Sequence, residues 1–340
     1  MRLINILKNS IFVLILILTY SSEAKSNINV VTSIKPIHSI ASNIMNGVSE
    51  PLLLVEGTTS PHSYILKPSH IEAINNADLI FFVSDELETF LERALNNIDS
   101  KTKVIELIKN EDLFVLKFRE NNIHLGDDHH DDHDDHNDHH DAHDDHHGED
   151  KHATHDDHDE HHEGHAHAHG EYDVHVWLDP FNAKVIASQI AEELSLLDPD
   201  NKSKYQENRD DFIDGVNNLE QTIGLQLDHY VSYVTFHDAY QYFENRFDVP
   251  SSGALTINPD VMPGARQLSD VRVMMAENDI HCIFSEPQFN PKVVEVIADD
   301  TNTKMGILDP LGATITLGKN HYFEVLRDIA DSLEDCGHDH

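Results

Sequence analysis

Histidine is the residue type in this chain with the clearest capacity for chemistry, and its distribution is uneven. Residues 124–169 hold 18 of the 28 histidines, mixed with Asp and Glu and with almost no apolar side chain. Neutral imidazole binds zinc, copper, nickel and iron, and carboxylates add oxygen donors, so this stretch predicts metal binding without a fixed geometry. The histidines expected to provide auxiliary metal contacts are His129, His130, His133, His136, His139, His140, His143, His146 and His147.

The same stretch lacks the means to build a folded core. It carries 17 acidic residues against the single Lys151, so it repels itself and buries little apolar surface. We predict a disordered loop over residues 124–169 that acts as a weak, multivalent metal trap. The alternative is a low-complexity expansion, or a solvated acidic run, without a role.

Four positions outside this loop have the residue types and surroundings of a defined metal site. His62 follows a predicted strand at 52–55, and His175 comes just after the histidine-rich loop. His237 and Asp309 end two further predicted strands. Ligands in open α/β sheets bind in the crevice at the carboxyl ends of the strands. Three imidazoles and one oxygen donor would suit a tetrahedral zinc ion where two domains meet.

Short apolar runs alternate with helical patterns around these positions. Strands are predicted at 28–31, 52–55, 79–83, 104–105, 230–236, 282–285 and 305–308, and helices at 36–45, 70–76, 86–97, 183–197, 265–277, 292–299 and 322–333. A further helix is predicted from 201 to about 227. The alternation predicts an α/β fold with mostly parallel sheets, and a helix about 40 Å long can bridge two domains.

The first residues predict export. Arg2 and Lys8 precede an unbroken apolar run at 11–18, and 22–24 (SEA) fits a small-x-small cleavage site. The run is shorter than the roughly 20 residues that a transmembrane helix needs, and no cysteine follows it for lipid attachment. We therefore expect a signal peptide at 1–24 and a periplasmic protein, with an uncleaved anchor or a buried helix as the alternative.

Charge and cysteine content narrow the classes of partner and of metal site that the chain can have. The net charge of −39 repels nucleic acid and anionic lipid and attracts cations, so no nucleic-acid partner is expected. The two cysteines, Cys282 and Cys336, can pair in an oxidising compartment or remain two buried thiols. Their number excludes a cysteine-rich zinc site.

Six segments resemble, in order, the metal-binding solute-receptor family of ABC importers, and most closely its zinc-uptake branch. They are 32–39 (TSIKPIHS), 60–64 (SPHSY) with 67–69 (KPS), 175–180 (HVWLDP), 236–243 (FHDAYQYF), 285–289 (SEPQF) and 308–312 (LDPLG). The resemblance implies two α/β lobes joined by one long rigid backbone helix, with a metal ion in the cleft between them. The expected parts are a first, metal-binding lobe at 25–123 and 170–195, the disordered loop at 124–169, a linking helix at 196–228 and a second lobe at 229–340.

The resemblance also assigns residues and partners. It implies that His62, His175 and His237 are the metal ligands, that Zn(II) is the transported ion, and that Cys282 and Cys336 form a disulfide. The manganese branch has Glu at the third ligand position, so His237 favours zinc, in line with the preference of a borderline ion for nitrogen. The expected partners are a permease in the inner membrane and its cytosolic ATPase, and we expect a monomer.

The fourth donor stays open at this stage. Some zinc receptors carry a Glu immediately before the first ligand, whereas Pro61 stands there in this chain. The candidates are therefore Asp309 and water. Glu286 is expected outside the coordination shell, where it would orient an imidazole or a metal-bound water.

The function predicted from the sequence is capture of zinc in an interdomain cleft and delivery to an ABC permease, with the loop as an auxiliary zinc trap or sensor. One alternative is a periplasmic zinc hydrolase with Glu286 as general base, although the chain has no His-Glu-x-x-His helix. The other is a passive metal buffer or surface adhesin in which the loop is the main functional part.

Overall fold

The computed structural model describes residues 28–124, 171–227, 231–259 and 261–337. The signal peptide predicted at 1–24 and the nine loop histidines from His129 to His147 lie outside these ranges. Within the ranges, no helix combines the length and the apolar character that crossing a membrane requires.

Two four-stranded sheets with the same topology form the framework. The first has the strand order β2-β1-β3-β4 and the second β6-β5-β7-β8, and each neighbouring pair is parallel. The strands are β1 (Val30–Thr32), β2 (Leu52–Leu53), β3 (Leu79–Phe82), β4 (Lys103–Glu106), β5 (Tyr233–His237), β6 (Gly253–Thr256), β7 (Cys282–Ser285) and β8 (Lys304–Ile307). The predicted fold of two parallel α/β lobes is therefore confirmed.

Helices flank both sheets. They are α1 (Lys35–Ile44), α2 (Pro68–Asn75), α3 (Glu92–Leu95), α4 (Pro180–Leu197), α5 (Lys202–Gln226), α6 (Gln241–Phe247), α7 (Ala265–Glu277), α8 (Lys292–Thr301) and α9 (His321–Gly337). The sequence did not predict α6 or β6. Strand β6 is short and begins at the glycine of a Pro-Ser-Ser-Gly run, a composition typical of a turn.

Side chains alternate across each sheet, and this alternation separates one large core from two smaller ones. In β3, Leu79 and Phe81 belong to the main core, whereas Ile80 and Phe82 face a smaller cluster on the other side of the first sheet. The second sheet divides in the same way. The main core is continuous through both lobes because α1, α4, α5 and α9 pack together between the sheets.

Helix α5 is the predicted linking helix. Its 25 residues correspond to about 37 Å, and it packs on α1 and α4 of the first lobe and on α9 of the second. It begins at Lys202 rather than at 196, since Pro199, in the short turn Pro199–Asn201, has no N–H with which to continue α4. The buried face consists of Tyr205, Asn208, Phe212, Val216, Leu219 and Ile223.

The chain reaches the second lobe before the histidine-rich loop begins. Ile123 forms an antiparallel bridge with Gly253 of β6, and the Ala254 N–H donates to the Asn122 carbonyl over 2.8 Å. A Cβ at Gly253 would lie 2.5 Å from that carbonyl oxygen, so only glycine allows this approach. We call residues 119–124 the crossing segment. The boundary expected at residue 123 falls inside it.

A disulfide closes the second lobe. Cys282 of β7 and Cys336 of α9 are bonded, as the resemblance implied, so the alternative of two buried thiols is excluded. The bond joins residues separated by 54 positions and stabilises the fold by about 4 kcal/mol in the chain-entropy treatment.

Candidate metal centre

His62 is presented by a short turn after β2. The turn spans Pro61–Ser63, and the Ser60 hydroxyl accepts a hydrogen bond from the His62 N–H over 3.2 Å. Proline at the first position of the turn fixes φ near the value that the turn needs. The imidazole is half-buried, so the turn holds it at the mouth of the cleft.

His175 is held by a carboxylate two residues before it. Asp173 Oδ1 accepts from His175 Nδ1 over 2.7 Å and from the His175 N–H over 3.0 Å. Both residues are buried. Because Nδ1 donates its hydrogen to Asp173, the free lone pair of the ring lies on Nε2, where a metal ion can accept it.

His237 is the last residue of β5 and has an equivalent partner. Its Nδ1 donates to Glu286 Oε1 over 2.7 Å, and Glu286 directly follows β7. Burial lowers the pKa of His237, but the carboxylates of Glu286, Asp238 and Asp173 together raise it more, and the resulting pKa lies above the usual value. Here too the lone pair is left on Nε2.

These three imidazoles converge. One ligand nitrogen from each of His62, His175 and His237 lies within 4.8 Å of the other two, and no other group of this kind occurs in the described ranges. The Nε2 atoms of His175 and His237 are 3.2 Å apart. Two nitrogens that share a tetrahedral zinc ion at 2.0–2.1 Å stand about 3.3 Å apart. The spacing is therefore that of two ligands to one ion.

The pocket around the imidazoles is small and mostly apolar. Its volume is about 10 Å³, which is room for about one water molecule. The residues that line it are Ser60, Pro61, His62, His175, Trp177, His237, Glu286, Gln288, Phe289, Pro310 and Leu311.

Asp309, expected as a candidate fourth donor, does not join the three imidazoles. Its Oδ1 accepts from Gln288 Nε2 over 2.7 Å and from the Leu311 N–H over 3.0 Å, and its Oδ2 accepts from the Ala313 N–H over 2.5 Å. These bonds point the carboxylate toward the backbone of the turn that follows β8 and away from the imidazoles. Asp309 is therefore outside the ligand group, and its neighbour in the pocket is Gln288.

The turn at 309–313 belongs to the second lobe but is held from the first. Lys35 Nζ donates to the Ala313 carbonyl over 2.6 Å, and Trp177 Nε1 donates to the Pro310 carbonyl over 2.8 Å. Burial lowers the pKa of Lys35, while the charge of Asp309 opposes this. Gly312, at φ 63°, has no space for a side chain. One wall of the pocket is thus fixed by contacts between the lobes.

A buried ion cluster lies directly behind His237. The Arg119 guanidinium of the crossing segment donates to Asp238 Oδ1 over 2.8 Å and also to Glu244 Oε2. Burial raises the pKa of Asp238 to about 7. The cluster ties the chain that precedes the histidine-rich loop to the residue next to a candidate ligand.

Sequence reasoning found the three imidazoles and Glu286 but missed two polar groups of the site. Asp173 could have been noticed, since a carboxylate two residues from a histidine on an apolar stretch can hold that ring. Gln288 offered no such signal, because an amide beside a strand end is common on protein surfaces.

Two parallel α/β lobes joined by a long helix, with three imidazoles converging between them, define a solute-binding protein for a metal ion. Sequence comparison agrees. The chain belongs to the ZnuA family, described as zinc-uptake complex component A, periplasmic, whose model matches residues 30–336. The family and its curated members are described as zinc-uptake components, so the prediction of a zinc receptor that is not an enzyme is confirmed.

Curated relatives are similar over nearly their whole length. The chain is 42% identical over 318 residues to the high-affinity zinc uptake system protein ZnuA of Brucella abortus (strain 2308), with 93% of each chain covered. It is 41% identical over 315 residues to the ZnuA of Haemophilus ducreyi (strain 35000HP), covering 92% of this chain and 94% of that one.

Solved structures support the fold. A ZnuA deletion mutant with zinc bound matches with a TM-score of 0.68 and 22% identity, covering 92% of this chain and 98% of that chain. The laminin-binding protein Lmb of Streptococcus agalactiae, described as an adhesin with metal-transporting activity, matches with a TM-score of 0.69 and 24% identity, covering 91% and 99%.

Proposed function

We propose that this protein captures Zn²⁺ in the periplasm with His62, His175 and His237 and delivers the ion to an inner-membrane ABC permease driven by a cytosolic ATPase. The observation that carries the proposal is the convergence of three imidazole nitrogens within 4.8 Å. Two of the rings have their Nδ1 atoms bonded to carboxylates, which leaves the Nε2 lone pairs for the ion.

The arrangement favours tight capture. Both lobes share one continuous core, so binding orders few additional groups and the entropic cost is small. Three nitrogen donors with no carboxylate in direct contact suit zinc better than manganese, which prefers oxygen ligands. Imidazole binds a metal only in its neutral form, so acid promotes release.

The remaining parts of the chain have supporting roles in this proposal. Residues 1–24 direct export and are removed, and the receptor acts as a monomer. The loop at 124–169 raises the local zinc concentration and passes ions to the cleft, which is an effective-concentration mechanism. A sensing role is compatible with the same contacts.

The rival functions receive less support. The matched family and the curated relatives are described as zinc-uptake components and not as hydrolases. A passive buffer needs no defined site, whereas the described residues contain one with two carboxylate-oriented rings.

The test separates the cleft from the loop. A variant lacking residues 127–169 is titrated with zinc against a chromophoric chelator, and anomalous scattering at the zinc edge identifies the donor atoms in its crystals. One tight zinc per chain is expected, with His237→Ala abolishing it and His281→Ala, as a matched control, leaving it. Uptake by cells carrying the loop-deleted protein should fall only in scarce zinc. Loss of tight binding on loop deletion would refute the assignment of the cleft.

A further inference from the structure

We infer that Gln288 accepts a hydrogen bond from a water molecule that occupies the fourth coordination position of the bound ion, and that Asp309 is the positioning residue that aims the Gln288 amide. This inference deepens the proposed zinc site and rests on it. It gives Asp309 a role although its carboxylate is turned away from the imidazoles.

The orientation of the Gln288 amide is determined by its partner. Nε2 lies 2.7 Å from Asp309 Oδ1, and a carboxylate only accepts hydrogen bonds, so the NH₂ group must face it. The oxygen is then the polar atom left for the pocket that Gln288 lines. Gln288 Oε1 is buried and has no hydrogen-bond partner among the residues that the structure describes.

The Asp309 carboxylate is itself held in a fixed orientation. The Leu311 and Ala313 N–H groups bind its two oxygens, and Lys35 from the other lobe holds the carbonyl of Ala313. Main-chain donors therefore fix the carboxylate, and the carboxylate fixes the amide. A chain of hydrogen bonds therefore connects the first lobe to the pocket. It runs from Lys35 through Ala313 and Asp309 to Gln288.

The chemistry of the fourth position follows from this orientation. Three imidazoles leave one position of a tetrahedral ion for a further ligand, and the pocket has room for about one water molecule. A water molecule bound to zinc donates hydrogen bonds, and an amide oxygen accepts them. The same oxygen lone pairs repel an anion, so the site selects water over chloride or azide and remains free of a fourth protein ligand.

Cobalt in place of zinc makes the fourth ligand visible. The loaded full-length protein is titrated with azide while the visible absorption of Co²⁺ is followed, and the zinc affinity is measured in parallel. Gln288→Leu is expected to bind azide at least about tenfold more tightly than the wild type and zinc about tenfold more weakly, within the range for groups that orient metal ligands. Gln267→Leu, a glutamine on α7 outside the pocket, is the control and should change neither.

Asp309→Ala provides a second, independent variant. It removes the acceptor that holds the Gln288 NH₂ group, so the amide can rotate and place a donor in the pocket, which again strengthens azide binding. Both variants are checked by circular dichroism and melting temperature. If azide and zinc affinities match the wild type in both variants while His237→Ala loses zinc, the inference is overturned and the proposed function stands. If His237→Ala binds zinc like the wild type, both are overturned.

Discussion

Replacing Glu286 tests the reasoning about the site most directly. Its carboxylate accepts the Nδ1 hydrogen of His237 over 2.7 Å, and the two residues, Glu286 and His237, are only 4% and 3% exposed. Removing such a partner of a metal-binding histidine costs about 10- to 100-fold in affinity, which is about 1.4–2.7 kcal/mol. Glu286→Gln keeps an acceptor oxygen and should lie near the lower value. Glu286→Leu keeps none and should lie near the upper value.

The pH dependence gives this prediction a second readout. Protons compete with zinc for His237, and Glu286 raises the pKa of that ring, so wild-type affinity falls as the pH drops through the raised pKa. In Glu286→Gln the pKa of His237 is lower, and the decline moves to lower pH. Chelator competition between about pH 5.5 and 8 follows both effects.

The matched control for the Glu286 variants is Glu295→Gln, which changes an exposed glutamate on α8. Its zinc affinity and pH profile should equal those of the wild type. Equal affinity and an unchanged pH profile in both Glu286 variants would show that the Glu286 carboxylate does not orient the His237 ring.

Four further outcomes are expected. Lys35→Met removes the hydrogen bond to the Ala313 carbonyl and should lower the free energy of unfolding by about 1.5 kcal/mol, measured by urea titration without metal. In metal-free protein, the ion pair of His237 with Glu286 stabilises the fold below the ordinary histidine pKa of about 6.5 and ceases to do so as the pH rises through the raised pKa; melting curves against pH should show this, and Glu286→Gln should flatten it. Zinc at 100 times its Kd should stabilise the protein by about 2.7 kcal/mol, and a chelator should reverse the shift in Tm. Reducing the bond of Cys282 should cost about 4 kcal/mol, read from the urea midpoint with and without reductant.

The sequence predicted the lobes because most of their strands contain short apolar runs, which are a local property. It also predicted His62, His175 and His237, since all three stand within motifs, with His62 and His237 beside strand ends and His175 just after the histidine-rich loop. Spacing along the chain does not determine which polar group at a strand end faces the pocket. The orientation of the Asp309 carboxylate is determined by two backbone N–H groups, those of Leu311 and Ala313. The pocket is lined instead by Gln288, the hydrogen-bond partner of Asp309.

Non-local pairing explains the other misses. Strand β6 is short and becomes recognisable only through its partners, β5 on one side and Ile123 on the other. The crossing segment has no periodic pattern of its own, because most of its hydrogen bonds run to residues more than a hundred positions away. The role of Arg119 becomes apparent only from its ion pairs with the buried carboxylates of Asp238 and Glu244 in the other lobe.

The two chain ends that flank the histidine-rich loop are anchored separately. On one side the His124 N–H donates to the Ser252 carbonyl, and on the other the Phe118 N–H donates to the Glu171 carbonyl. Doubling the number of residues between two anchored chain positions costs only about 0.6 kcal/mol in closure entropy. The length of this insert can therefore change without disturbing the imidazoles, so in the proposed function the amount of zinc collected and the strength with which the cleft holds it can vary independently.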